Sequence, residues 1–188
     1  MSTLSYAETL ITAQGDGSAL TAAAAASCLP AASLKTLPAN FFDVIGKQIL
    51  VKATGRISCA VTDPGTARFD LRFGGTVVAD SLAMPLNIVA KTNVGWTLEM
   101  LLTCRAIGAS ANLMMEGEWK SAAVIGSPAL TAGGVGVFTL PYISDNSTGP
   151  AVGNNFASTS AQQVDLFFTQ TVATGSMTLH QFSLIALN

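Results

Sequence analysis

The sequence predicts an all-β fold: an antiparallel β-sandwich of the jelly-roll type with an extended N-terminal segment. In most strongly patterned segments, apolar residues recur at every second position, which is the period of a half-buried strand. Turn residues separate these segments, and no amphipathic helices alternate with them, which argues against a parallel α/β sheet. We expect about eight to ten strands. An immunoglobulin-like sandwich is the alternative architecture.

The N-terminal part of the chain carries the weakest pattern. Ser5–Gln14 is a weak strand candidate, and the low-complexity stretch Gly15–Asn40 is typical of an extended arm. Within this arm, Leu20–Ser27 is rich in alanine, the strongest helix former. It lacks an apolar stripe, and Pro30 follows closely, so we expect at most one helical turn there.

The middle of the chain begins with a strand and a hairpin. Lys47–Cys59 alternates small or apolar residues with polar ones, which predicts a strand with one solvated face. Arg68–Phe73 alternates more regularly, the pair Gly74 and Gly75 supplies a two-residue turn, and Thr76–Ala79 restarts a strand. This arrangement predicts a β-hairpin.

A second hairpin follows, built on the longest candidate strand, Gly95–Ile107. A Gly-Ala-Ser turn at 108–110 reverses the chain, and Ala111–Trp119 returns with the same period of two. Val135–Leu140 is a weaker strand candidate.

The C-terminal third repeats the strand–turn–strand plan. Val164–Thr169 alternates, a Thr-Gly-Ser turn occupies 174–176, and Met177–Leu187 closes the chain as a strand. Upstream, Ser144–Ser160 is a long polar loop. Long loops in compact domains tend to be functional or mobile, and loops are where a scaffold displays its contacts.

Length and charge bound the function. The 188 residues suit a single domain with a full core, divided into a strand and arm at 1–46 and a sandwich at 47–188. Only 11% of residues are charged and 49% are hydrophobic, whereas ordinary soluble domains have about 25% charged residues. A monomer with so little charge has little to keep its surface soluble. We therefore expect surface burial between subunits, with a Ser-, Thr- and Ala-rich monomer as the alternative.

The same properties argue against other classes of partner. The weakly polar stretch Ala19–Ala32 is too short for a membrane helix, which needs about 20 apolar residues. The opening MSTLSYAETL lacks the basic and apolar blocks of a secretory signal. The nine Lys and Arg residues are scattered over a chain of net charge −2, and nucleic-acid binding requires a basic patch. We expect neither nucleic acid nor membrane as a partner.

Three cysteines, Cys28, Cys59 and Cys104, are widely spaced, and no CxxC pair occurs. A zinc site is therefore not expected. Cys59 and Cys104 fall in strand-like runs, where a free cysteine acts as a small buried apolar residue. We favour free thiols over a disulfide, which implies folding in a reducing cytoplasm.

Few residues are suited to catalysis. His180 is the only histidine, so it alone can serve a Ser-His-Asp or Cys-His mechanism; alternation places it on one face with Phe182, and we expect a structural or surface role. Glu116 and Glu118 lie about 7 Å apart along one strand, a spacing that suits an acid/base pair, although a solvated strand face is the simpler interpretation. We predict no catalytic residue, no cofactor and no metal site.

Other polar and aromatic motifs have structural interpretations. Three Asp-containing turns, beginning at Asp16, Asp63 and Asp145, have turn chemistry but no EF-hand spacing. The glycine pattern at 133–136 lacks the strand-to-helix context of a phosphate-binding loop. Trp96 and Trp119 occupy inward-facing positions, so we expect them in the core. Phe156 lies in the polar loop and is the better candidate for an exposed contact residue.

The chain resembles small jelly-roll structural proteins of tailed bacteriophages. The resemblance covers most of the chain and is carried by the composition and three segments, TLITAQGDGSALTAAA, LPANFFDVIGKQILVKATGRIS and HQFSLIALN. It implies a virion component made in the host cytoplasm, commonly a homotrimer, and it transfers no functional residue. Expected partners are copies of the chain itself and the major capsid protein or other virion subunits.

Two functions follow as hypotheses. The first is a capsid decoration or cement protein, a homotrimer that clamps neighbouring shell subunits through its arm and loops. The alternative is a tail or fibre module that recognises a host-surface glycan through loops such as 144–160. An enzyme ranks third.

Overall fold

A computed structural model of the chain describes residues 6–124, 136–139 and 152–187, and over these residues the fold is all-β without an α-helix. Single 3₁₀ turns lie at Ala31–Ser33 and Gly108–Ser110. The strands in chain order are β1 (Ala7–Thr12), β2 (Ala25–Ser27), β3 (Lys35–Leu37), β4 (Gln48–Cys59), β5 (Thr66–Phe73), β6 (Thr76–Asp80), β7 (Met84–Pro85), β8 (Lys91–Ala106), β9 (Asn112–Ser121), β10 (Gly136–Thr139), β11 (Gln162–Gln170) and β12 (Ser176–Leu187).

The strands form two antiparallel sheets that pack as a sandwich, as the sequence predicts. The first sheet has the order β1-β12-β4-β8-β9-β10. The second has the order β2-β11-β5-β6, with β3 also paired to β11 and β7 to β5. The strand pairs are nested along the chain, so that each pair is enclosed in sequence by the one before it: β1–β12, β2–β11, β4–β8 and β5–β6. The chain thus resembles one long hairpin that is wrapped across the two sheets. This nesting is the wrapping of a jelly roll, and β9 and β10 extend the first sheet at one edge.

The core lies between the inward faces of the two sheets, and an aromatic cluster occupies its centre. The Phe69 ring lies 4.8 Å from Trp96, 4.9 Å from Trp119 and 5.2 Å from Phe168, measured between ring centroids. All four side chains are almost completely buried, and burying a large apolar side chain contributes roughly 1.5–3 kcal/mol. The predicted core positions of both tryptophans are confirmed.

Both predicted hairpins are present. Phe73 pairs with Thr76 across Gly74 and Gly75, whose φ angles are +54° and +91°. Two consecutive positive φ angles define the type I′ turn, which glycine adopts without strain. Strands β8 and β9 pair across the 3₁₀ turn at 108–110.

The last two strands do not pair with each other, although they repeat the strand–turn–strand plan in the sequence. Strand β11 lies in the second sheet and β12 in the first. The connecting turn therefore carries the chain across the sandwich. Alternation alone does not reveal this, because a strand in either sheet has the same period.

The alanine-rich stretch is extended, so a helical turn at Leu20–Ser27 is wrong. Leu20 forms a bridge with Met177 of β12, and Ala25–Ser27 forms β2 against β11. Pairing with existing sheet edges satisfies the backbone, and this tertiary context overrides the helix propensity of alanine. Residues 1–46 thus contribute β1 to the first sheet and β2 and β3 to the second.

Candidate interaction surfaces

The two glutamates considered as an acid/base pair lie on the outer face of the first sheet. Glu116 is exposed, and Glu118 forms an ion pair with Lys120. Glu99 of β8 is the residue directly opposite Glu118, and the Lys52 ammonium lies 2.9 Å from the Glu99 carboxylate. The two opposed carboxylates are thus each balanced by a lysine on an open face.

His180 lies at a β-bulge in β12, between Leu179 and Gln181. The inward-facing positions change at the bulge, so His180 does not share the buried face of Phe182, and the simple alternation was wrong here. Its Nδ1 lies 2.8 Å from the carboxylate of Asp16. Among the described residues, no hydrogen bond joins His180 to a hydroxyl or a thiol, and no three His, Cys, Asp or Glu side chains group as metal ligands.

Phe156 is buried, with 5% of its surface exposed, so its predicted role as an exposed contact residue is wrong. Its ring packs against Phe42 at 5.7 Å and Phe73 at 5.1 Å. Its backbone pairs with Ala111. The segment 152–158 therefore closes the open side of the sandwich, because Phe156 completes the core, while Val152 at its start stays 41% exposed. Residues 144–151 of the predicted loop lie outside the described residues.

The glycine and aspartate motifs lie only partly within the described residues. Residues 133–135 of the glycine pattern and the turn at Asp145 lie outside the described residues. Asp63 adopts a left-handed conformation, with φ +55°, in the turn before β5. A positive φ at Asp is a typical turn conformation.

The three cysteines are buried, as expected for Cys59 and Cys104, and free. Burial raises the pKa of all three thiols, and the nearby Asp165 carboxylate raises that of Cys28 further. The Cys28 thiol donates a hydrogen bond to the Leu166 carbonyl at 3.0 Å. Such thiols stay protonated and are poor nucleophiles.

A cluster of exposed apolar side chains lies at one end of the first sheet. Tyr6, Val44 and Ile45 are 58%, 56% and 61% exposed. With Gln48 and Leu187 they line a depression of about 710 Å³. Side chains of this size are usually buried, so a contiguous group of them marks a candidate interaction surface.

This cluster continues onto the outer face of the first sheet. Leu50 of β4 has Ile185 of β12 on one side and Leu101 of β8 on the other. All three are half-buried and point away from the core, as does Leu187 in the adjacent row. We call the combined surface the apolar face; it consists of Tyr6, Val44, Ile45, Leu50, Leu101, Ile185 and Leu187.

A sequence signal for the apolar face exists, although alternation alone misses it. Strands β4, β8 and β12 each contain a run of consecutive apolar residues: 49–51, 100–102 and 184–187. A run without alternation is typical of a strand covered on both faces. The register brings the three runs side by side.

The next two rows of the same outer face are polar. Two lysines, Lys52 and Lys120, and the two opposed glutamates, Glu99 and Glu118, lie there. With neighbouring threonines they line a shallow depression of about 220 Å³. At the opposite end of the sandwich, Val61 is 61% exposed. That end lacks a comparable sheet-face extension among the described residues.

Five of the twenty charged residues of the chain cluster on strands β5, β6 and β11 of the second sheet. Arg68 pairs with Asp80, and Arg72 pairs with Asp70, with Asp165 directly opposite Arg72. Asp70 is 1% exposed and Asp80 5%. Burial raises the pKa of both Asp80 and Asp165.

These charges are satisfied within the chain. The Arg72 guanidinium stacks on the Phe167 ring at 3.7 Å, and the Asp70 carboxylate raises the pKa of Arg72. Asp165 accepts a 2.6 Å hydrogen bond from the Ser27 hydroxyl. The cluster thus joins β2, β11, β5 and β6, and we assign it a structural role.

Comparisons with known proteins identify no family for this chain. No family model matches the chain, and no curated protein matches it. Among solved structures, the CBM2 module of the evolved Dit of Lactobacillus casei BL23 phage J-1 is similar at 10% identity, with a TM-score of 0.38, over 98% of this chain and 97% of that one. A likeness at this TM-score carries no argument about fold or function. No helix among the described residues is long and apolar enough to cross a membrane.

Proposed function

We propose that this chain is a structural subunit of a tailed-phage virion and that it binds neighbouring protein subunits through the apolar face. The observation that carries the proposal is the exposure of Tyr6, Val44 and Ile45, continuous with the apolar rows of the outer sheet face. Contiguous apolar patches beyond a few hundred Å² are rare on soluble monomers. With 11% charged residues, the chain has little else to keep such a surface in water.

We propose no catalytic role. The only histidine is paired with an exposed aspartate at a strand bulge. Glu118 is paired with Lys120 on an open face, and Glu116 is exposed beside it. A general acid or base must be held within hydrogen-bond reach of the reacting atoms of a bound substrate, and a solvent-facing ion pair does not hold Glu118 in that way.

The location in the particle is tested by antibody labelling. The resemblance of the sequence to phage structural proteins supports a virion position, which includes a head-decorating homotrimer on the major capsid protein and a tail-associated module. Gold-labelled antibodies against the purified chain should bind intact virions in electron micrographs, at the head or at the tail. Complete absence of the chain from purified virions would refute the virion proposal.

Recognition of a host-surface glycan by a tail module is the second candidate function. The polar depression favours it, because Lys52, Glu99, Glu118 and Lys120 offer charged donors and acceptors to sugar hydroxyls. On a glycan array, Glu118→Gln should weaken any saccharide signal, whereas Glu116→Gln, just outside the depression, should not. Equal signals from both variants, or none from the wild type, would refute this candidate.

A further inference from the structure

We draw no further inference here: the strongest candidate, the buried arginine and aspartate cluster that joins β2, β11, β5 and β6, belongs to the structural role already described, because each of its three carboxylates is satisfied by an arginine or serine side chain of the same chain.

Discussion

At the scale of single residues, Phe69 lies at the centre of the aromatic cluster and is fully buried. Its ring contacts both tryptophans and Phe168, which lie on both sheets. The two Trp Nε1 atoms have no hydrogen-bond partner among the described residues, so this centre depends on packing. Removing the ring leaves a cavity that the surrounding rigid strands cannot fill.

Phe69→Ala should therefore lower the free energy of unfolding by about 3–5 kcal/mol. Tyr6→Ala, which removes an exposed ring, should change it by less than about 0.5 kcal/mol in the monomer. Urea titrations followed by tryptophan fluorescence measure both. A Phe69→Ala variant as stable as Tyr6→Ala would contradict the central position of this ring.

The buried aspartates of the second sheet predict an unusual dependence of stability on pH. Burial raises the pKa of Asp80 above its ordinary 3.8, so the folded chain binds this proton more tightly than the unfolded chain. The resulting stabilisation is fully present below pH 3.8, and it is lost as the pH rises through the higher pKa of Asp80 in the folded chain. Asp165 contributes in the same direction.

When the pH is lowered from about 7 to about 4, the melting temperature of Asp80→Asn should therefore rise less than that of the wild type. Asp43→Asn is the control: Asp43 has its pKa lowered by the Lys47 hydrogen bond, so its contribution has the opposite sign. Differential scanning calorimetry across this range decides the question. Identical pH dependence in Asp80→Asn and the wild type would exclude the buried carboxyl as the cause.

At the scale of elements, the segment 152–158 acts as a closure between the two sheets. The Gly153 N–H donates to the Leu113 carbonyl of β9 at 2.8 Å, and the Cα of Gly153 packs against the Val78 carbonyl of β6. Phe156 then enters the core beside Phe73. This close backbone approach explains why glycine occupies the position.

Gly153→Ala should destabilise the fold, because a Cβ there would overlap the Val78 carbonyl oxygen, which is fixed in a strand. Gly15→Ala is the matched control, since a Cβ there has no neighbour within 4 Å. We expect Gly153→Ala to melt several degrees lower, the effect of about 1–3 kcal/mol of overpacking. Equal melting temperatures for the two variants would mean that the segment does not pack as described.

The same scale shows which elements the sequence could predict. Strands β4, β5, β8 and β9 follow from period-two alternation, since each has one buried and one outer face. Strands β2 and β3 do not follow from alternation, because a strand of three residues is too short to show a period of two. The sheet to which β12 belongs was equally unpredictable, since partner choice depends on contacts across the whole chain.

The candidate surface was only partly predictable. Low charge predicts burial of the surface between subunits, and this stays a prediction. The polar neighbours of Phe156 predict an exposed side chain, but the side chain is buried because the segment returns to the core. The consecutive apolar runs of β4, β8 and β12 form one surface only through the strand register, which the sequence alone does not supply.

At the scale of the whole molecule, the outer faces of the two sheets differ in chemical character. The second sheet contains the Arg68–Asp80 and Arg72–Asp70 ion pairs, whose aspartates are buried, and we assign these pairs a role in stabilising the fold. The first sheet presents apolar rows beside the exposed side chains of Val44 and Ile45, and we propose this surface as the contact surface. The few ionic groups of the chain are thus consistent with a subunit whose outer sheet face is covered by protein in the assembly.

Binding to virions that lack this chain tests the central claim most directly. Purified wild type, Ile45→Asp and Val61→Asp would be mixed with such particles, and the bound fraction measured after sedimentation. We expect the wild type and Val61→Asp to bind and Ile45→Asp to remain in the supernatant. Ile45→Asp binding as tightly as the wild type, while Val61→Asp fails to bind, would show that the contact surface lies at the other end of the sandwich.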